Sequence, residues 1–187
     1  AFLSEALIRL HEITANTELL MKAKAITERV IENFADPETG LFFYTRSDQD
    51  DAIVRKKEVY DGAVPSGNAV MAYNLHYLSV ITDKSEWKER AVSLTDAVTQ
   101  MAIRSPTSFG NWLNLAQEWV RGTWEVAIVG NNAENTGKEV LKEYIPCKVL
   151  QFSIAGNERF PLLSVKTAPE WTTLFLCRNY SCKNPVY

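Results

Sequence analysis

The sequence predicts a mainly α fold: helical hairpins stacked as part of an array or toroid, with a small α/β element near the C-terminus. Three observations carry this. Apolar residues recur at helical spacing through most of the first 121 residues. Two helix pairs repeat at a fixed offset. A strand–helix–strand pattern then follows between residues 124 and 154.

The first helix opens at the first residue. Leu3, Ala6, Leu7, Leu10 and Ile13 fall on one helical face. Ala15-Asn16 breaks the rhythm, and Thr17-Glu18 starts a second helix. Its face is Leu19, Ala23, Ile26, Val30 and Phe34, with Lys and Glu opposite. Asp36-Pro37 and Gly40 end it, since Pro and Gly both interrupt helices. Leu41 to Thr45 is aromatic and predicted extended, and Ser47 to Lys57 is charged and predicted a loop. Pro65-Ser66-Gly67-Asn68 opens a third helix with Ser66 as N-cap. From Ala69 to Ile81 that helix is apolar on nearly every side, which predicts burial all round. Ser85 to Ile103 forms a fourth, with a single stripe of Trp87, Ala91, Leu94, Val98 and Met101.

The pairs align at an offset of 68 residues, from Leu10 to Leu78. Ile13 then meets Ile81, Thr14 meets Thr82, Ala23 meets Ala91, Thr27 meets Thr95 and Val30 meets Val98. Repetition of one hairpin marks an array. Alternation of buried and half-buried helices predicts two concentric layers. Phe109 to Val120, with Trp112, Leu115 and Trp119, reads as a third inner helix. Trp124 to Gly130 reads as a buried strand, Glu134 to Tyr144 as a helix and Cys147 to Ile154 as a second, parallel strand. Leu174 to Cys177 adds a third strand. Residues 1–121 are thus the hairpins, and 122–187 the α/β element and C-terminal segment of the same domain.

Composition narrows the function classes. With 20 basic and 23 acidic side chains the net charge is −3, which argues against a nucleic-acid partner. Apolar residues make up 46%, which excludes a disordered linker. No apolar run is long enough to span a membrane. The chain starts with Ala1, already in helical rhythm and without a cap, so a fragment of a longer protein is expected. Cys147, Cys177 and Cys182 are too few for a disulfide framework, and reduced thiols in a cytoplasmic protein are expected. Asn179-Tyr180-Ser181 fits a glycosylation acceptor by chance spacing.

Familiar chemical motifs fail in detail. Gly130 to Glu139 has six residues between its glycines, and Glu follows Lys138, so it is not a phosphate loop. His11 and His76 lie in helix interiors, do not coincide at the repeat offset and read as packed or surface residues. Metal-ligand spacing is absent, and no cofactor is expected. The best site is Glu58 to Asn68, which gathers acids, a Tyr, two glycines and small polar residues before the most buried helix. A helix N-terminus offers free N–H groups and a positive dipole end. Asp61, Ser66 and Asn68 are expected to converge there on a hydroxylated ligand, with Tyr60 and Gly67 beside them. Glu58 and Asp61 are the candidate catalytic acids. Trp112, Trp119 and Trp124 are candidates for stacking on sugar faces, against a simple role in the core.

Asp61-Gly-Ala-Val-Pro-Ser-Gly-Asn68, Gly40-Leu-Phe-Phe43, Glu125-Val-Ala-Ile-Val-Gly130 and Cys177-Arg-Asn-Tyr-Ser-Cys182-Lys-Asn-Pro185 resemble the C-terminal part of thioredoxin-domain-containing proteins of the spermatogenesis-associated type. The resemblance runs through the chain in order. It implies a longer parent, with an N-terminal thioredoxin-like domain followed by an (α/α)6 toroid similar to N-acylglucosamine 2-epimerases. The chain would be roughly the second half of that toroid. Epimerase histidines cannot be carried over, because neither His11 nor His76 sits in a matching loop. Two functions follow as expectations: binding or processing of a carbohydrate in the central cavity, or a non-catalytic module that docks clients for the thioredoxin-like domain. A half toroid exposes inner helices, so a homodimer of this piece is also expected.

Overall fold

The computed structural model describes residues 1–49, 54–167 and 170–186. Six α-helices and a four-stranded sheet follow in order: α1 Phe2–Thr14, α2 Thr17–Phe34, α3 Gly67–Thr82, α4 Ser85–Arg104, α5 Gly110–Arg121, β1 Trp124–Val129, α6 Ala133–Lys142, β2 Lys148–Ser153, β3 Thr173–Arg178 and β4 Ser181–Cys182. The fold is mainly α. The expected loop from Ser47 to Lys57 falls partly outside the described residues. No helix among the described residues is long and apolar enough to cross a membrane.

The two hairpins turn in the same way. Ala15 ends α1 in the left-handed region (φ 53°), and its N–H bonds the His11 carbonyl. Asp83 ends α3 at φ 52°, and its N–H bonds the Ser79 carbonyl. Thr14 and Thr82 each donate a hydroxyl hydrogen bond of 2.7 Å four residues back, to Leu10 and Leu78. Ala23 and Ala91 are both fully buried, and so are Thr27 and Thr95 to within a few per cent. The offset read in the sequence is therefore a repeat of local structure.

Burial is not repeated. α3 is buried on nearly every side, as its composition predicts. In α1 the matching face is open: Phe2, Leu3, Leu10 and Ile13 are about half exposed, whereas Val70, Met71, Leu78 and Ile81, their equivalents in α3, are buried. α3 packs on α4 and also touches α1, α2 and α5.

Among the described residues the stretch from Leu41 to Thr45 makes one isolated bridge, Ala35 to Phe42, and Asn68 takes up both backbone groups of Phe42. One expectation is corrected. The third inner helix is one-sided: α5 buries Trp112, Leu115 and Glu118, but Leu113 and Val120 face outward, Val120 88% exposed.

β1 and β2 are parallel and joined through α6, and β3 adds antiparallel to the other edge of β1. One face of the sheet joins the helical core through Ala127, Val129 and Val149. The other packs Val126, Ile128, Leu150 and Phe152 beneath α6. Gly137 of α6 sits directly on Phe152, where a Cβ would come within 2.6 Å of the ring. That close approach leaves no room for a side chain at position 137.

The expectation of three reduced thiols is overturned. Cys177 and Cys182 face each other across β3 and β4 and form a disulfide. The intervening Asn179-Tyr180 turn has positive φ at both positions (47° and 59°), the geometry of a two-residue hairpin. A separation of five is wrong for a metal knuckle but right for a cross-strand pair. Cys147 is free.

Candidate functional site

The segment before α3 is fixed by its own polar side chains. Ser66 caps the helix, accepting the Ala69 N–H at 3.0 Å. Asp61 accepts the Ser66 N–H at 2.9 Å on one oxygen and the Asn111 N–H at 2.8 Å on the other, tying the loop to the start of α5. Asn68 is buried and serves three backbone groups. It accepts from Phe42 N–H (2.7 Å) and donates to the Phe42 and Glu58 carbonyls (both 2.9 Å). Trp112, fully buried, donates its indole N–H to the Val59 carbonyl at 2.8 Å. Backbone polar groups buried in an irregular segment need such partners.

This scaffold borders a cavity of about 650 Å³. Its apolar wall is Phe34, Phe42, Phe43, Tyr44 and Tyr60. Its polar edge is Glu58, Ser66, Gly67 and Asn68. Tyr60 is half exposed, with its ring 5.1 Å from Phe109. Glu58 is exposed, and its carboxylate accepts the Tyr60 N–H at 3.1 Å. Gly67 and Asn68 provide first-turn N–H groups with no hydrogen-bond partner among the described residues. A helix start of this kind favours electron-rich oxygens.

Five of the six site residues read from sequence thus border one cavity. Asp61 does not; both its oxygens are taken by backbone N–H groups. Ser66 and Asn68 border it while already engaged with backbone. Behind the aromatic wall, Lys57 lies 2.5 Å from Asp36. The Lys57 ammonium, with the Thr39 hydroxyl, holds the Asp36 carboxyl well below the usual carboxylate range. Arg55 stacks on Phe43 at 3.9 Å, stiffening the wall. None of Trp112, Trp119 and Trp124 borders this cavity. Trp112 is core, Trp119 packs edge-on to His76, and Trp124 lies under Arg178.

Sequence reasoning missed a buried polar trio. His76 Nε2 lies 3.1 Å from Glu118 Oε1 and 2.9 Å from Thr123 Oγ1, and the Thr123 hydroxyl donates to Glu118 at 3.0 Å. These residues border a separate cavity of about 420 Å³. Glu118 was hidden in an amphipathic helix, and only its burial at a stripe position could have marked it. No group of three metal-binding side chains occurs among the described residues.

No family model matches the chain. Along its whole length it is similar to spermatogenesis-associated protein 20 of Mus musculus and of Homo sapiens, each 25% identical over 197 aligned residues and 25% covered by the chain. It is also 27% identical over 193 residues to an uncharacterised protein of Caenorhabditis elegans, of which it covers 26%. The chain spans about a quarter of the length of these curated relatives. The similarity supports relatedness to the spermatogenesis-associated proteins.

Proposed function

We propose that this chain supplies a binding cavity for a carbohydrate, set at the N-terminus of α3. One observation carries the reading: an aromatic-walled cavity of about 650 Å³ with Glu58 and the first residues of α3 on its edge. Aromatic faces pack against the C–H faces of sugars, and acceptor and donor groups at the edge take their hydroxyls. Glu58 is the one carboxylate bordering the cavity among the described residues. Glycoside hydrolysis by paired carboxylates needs a second acid about 5–10 Å away. Binding is therefore the activity proposed for this chain by itself, with Glu58 as the acid or base if a longer protein supplies the second group.

In the same proposal, the hairpins are part of an (α/α)6 toroid. The open apolar face of α1 supports this, since its equivalents in α3 are covered by neighbouring elements. That face also favours a second reading, in which the chain is a non-catalytic module docked against a thioredoxin-like domain or a second copy.

Calorimetric titration of the chain with a panel of mono- and disaccharides tests the first reading. At least one should bind, and Tyr60→Ala should weaken it up to about tenfold, the value of one aromatic contact. A panel that gives no heat with the intact chain rejects it.

A further inference from the structure

The β3–β4 hairpin carries the Cys177–Cys182 disulfide at one edge of the sheet, where β4 is the outermost strand. The two sulfurs sit in unequal surroundings. Cys177 is 1% exposed, whereas Cys182 is an exposed residue. The register sets Glu125 opposite Cys177 and Cys177 opposite Cys182, so the three stand in a row on one face of the sheet. Glu125 is itself buried, and its carboxylate accepts the Tyr180 N–H at 2.8 Å. Burial and a carboxylate in line with Cys177 both disfavour a negative charge on that sulfur.

The S–S bond is not what holds the hairpin in place. The Tyr180 hydroxyl donates to the Val80 carbonyl at 2.7 Å. The Lys183 N–H donates to the Leu176 carbonyl at 2.9 Å, and Leu174 and Val186 exchange hydrogen bonds of 2.8 and 3.0 Å. None of these contacts, nor that of Tyr180 with Glu125, involves a sulfur. A cross-link between residues five apart also removes little freedom from the unfolded chain. An exposed disulfide that the fold does not depend on is open to exchange with thiols.

We propose that Cys177–Cys182 is a thiol–disulfide exchange site, reduced by a dithiol that attacks from solvent. Access directs the attack to Cys182. One thiolate of the dithiol bonds to Cys182 Sγ, the Cys177–Cys182 bond breaks, and the electron pair leaves on Cys177. Cys177 takes the proton of the dithiol's second thiol. The thiolate so formed closes the dithiol's own disulfide and releases Cys182 as a thiolate. The dithiol is oxidised by two electrons, and the cysteine pair is reduced by two. A monothiol stops after the first step. The hairpin holds Cys177 beside the mixed disulfide, at a high effective concentration, and the original bond closes again. The inference is independent of the carbohydrate cavity.

Reduction of the folded chain by dihydrolipoate tests it, with Cys147→Ser throughout and free thiols counted by alkylation and mass spectrometry. Dihydrolipoate should open Cys177–Cys182 while circular dichroism stays that of the folded chain. Glutathione at the same thiol concentration should open it much less. The rate should be flat in urea well below the unfolding midpoint, because the folded form reacts. Cys177→Ser should capture oxidised glutathione on Cys182. Cys182→Ser should capture it on Cys177 about tenfold more slowly or slower still, since that sulfur is buried. A bond that dihydrolipoate leaves closed, a rate that climbs with urea as the chain begins to open, or loss of helical signal on reduction overturns the proposal. So does glutathione as effective as dihydrolipoate, or equal capture at the two cysteines.

Discussion

Asn68 holds the edge of the carbohydrate cavity by serving Phe42 twice and Glu58 once. Asn68→Ala leaves three backbone groups without partners, two of them buried at Phe42, each worth about 1 kcal/mol. Urea unfolding should show a loss of about 2–4 kcal/mol; a loss below about 1 kcal/mol would mean the loop re-forms its bonds elsewhere. His11 makes a pH prediction. Its ring is buried, its Nδ1–H faces the Asn16 carbonyl at 3.1 Å, and Nε2 has no partner among the described residues. Burial pushes its pKa below the ordinary value of about 6.5. The folded state then resists protonation while the unfolded chain accepts it. Stability attributable to His11 is full above pH of about 6.5 and falls as pH drops below it. His11→Asn, which keeps a donor toward Asn16, should flatten that fall in urea midpoints measured across the range.

Among the elements, α6 is defined by how closely it approaches the sheet. Gly137→Ala gains up to about 1 kcal/mol of helix propensity. It also drives a methyl into the Phe152 ring, where overpacking costs about 1–3 kcal/mol. The net effect should be destabilising, by about 1–2 kcal/mol in thermal or chemical unfolding. An unchanged stability would show that α6 can shift away from β2. The same elements show what a sequence discloses. Helical spacing, the Ser66 cap and the βαβ order were legible, because local periodicity and capping are local physics. The β3–β4 disulfide was not, because it depends on a turn that places two residues opposite each other. The His76–Glu118–Thr123 trio was not either. Its members are 42 and 47 residues from His76, and only tertiary packing joins them.

At the scale of the whole molecule, the repeat and its unequal burial are the main structural result. Leu10 and Leu78 occupy the same place in two copies of one hairpin, yet Leu10 is 48% exposed and Leu78 is fully buried. Leu78→Ala should therefore cost about 2–5 kcal/mol in this chain. Leu10→Ala should cost less than about 1 kcal/mol, near the range of surface changes. Equal costs, read by urea unfolding, would mean that the α1 face is covered in solution. The candidate site followed the same division. The sequence located the segment from Glu58 to Asn68 by its polar residues. It did not show that Asp61 is spent on backbone N–H groups, nor that aromatic residues of a distant stretch, Phe42 to Tyr44, form the wall.

The proposed carbohydrate cavity is tested most directly by a crystal structure of the chain soaked with the best binder from the sugar panel. The sugar ring should lie against Tyr60 and Phe43, with a hydroxyl on Glu58 and another at the Gly67 and Asn68 N–H groups. Density for the sugar elsewhere, or an empty cavity at a concentration that saturates binding in solution, would contradict the account.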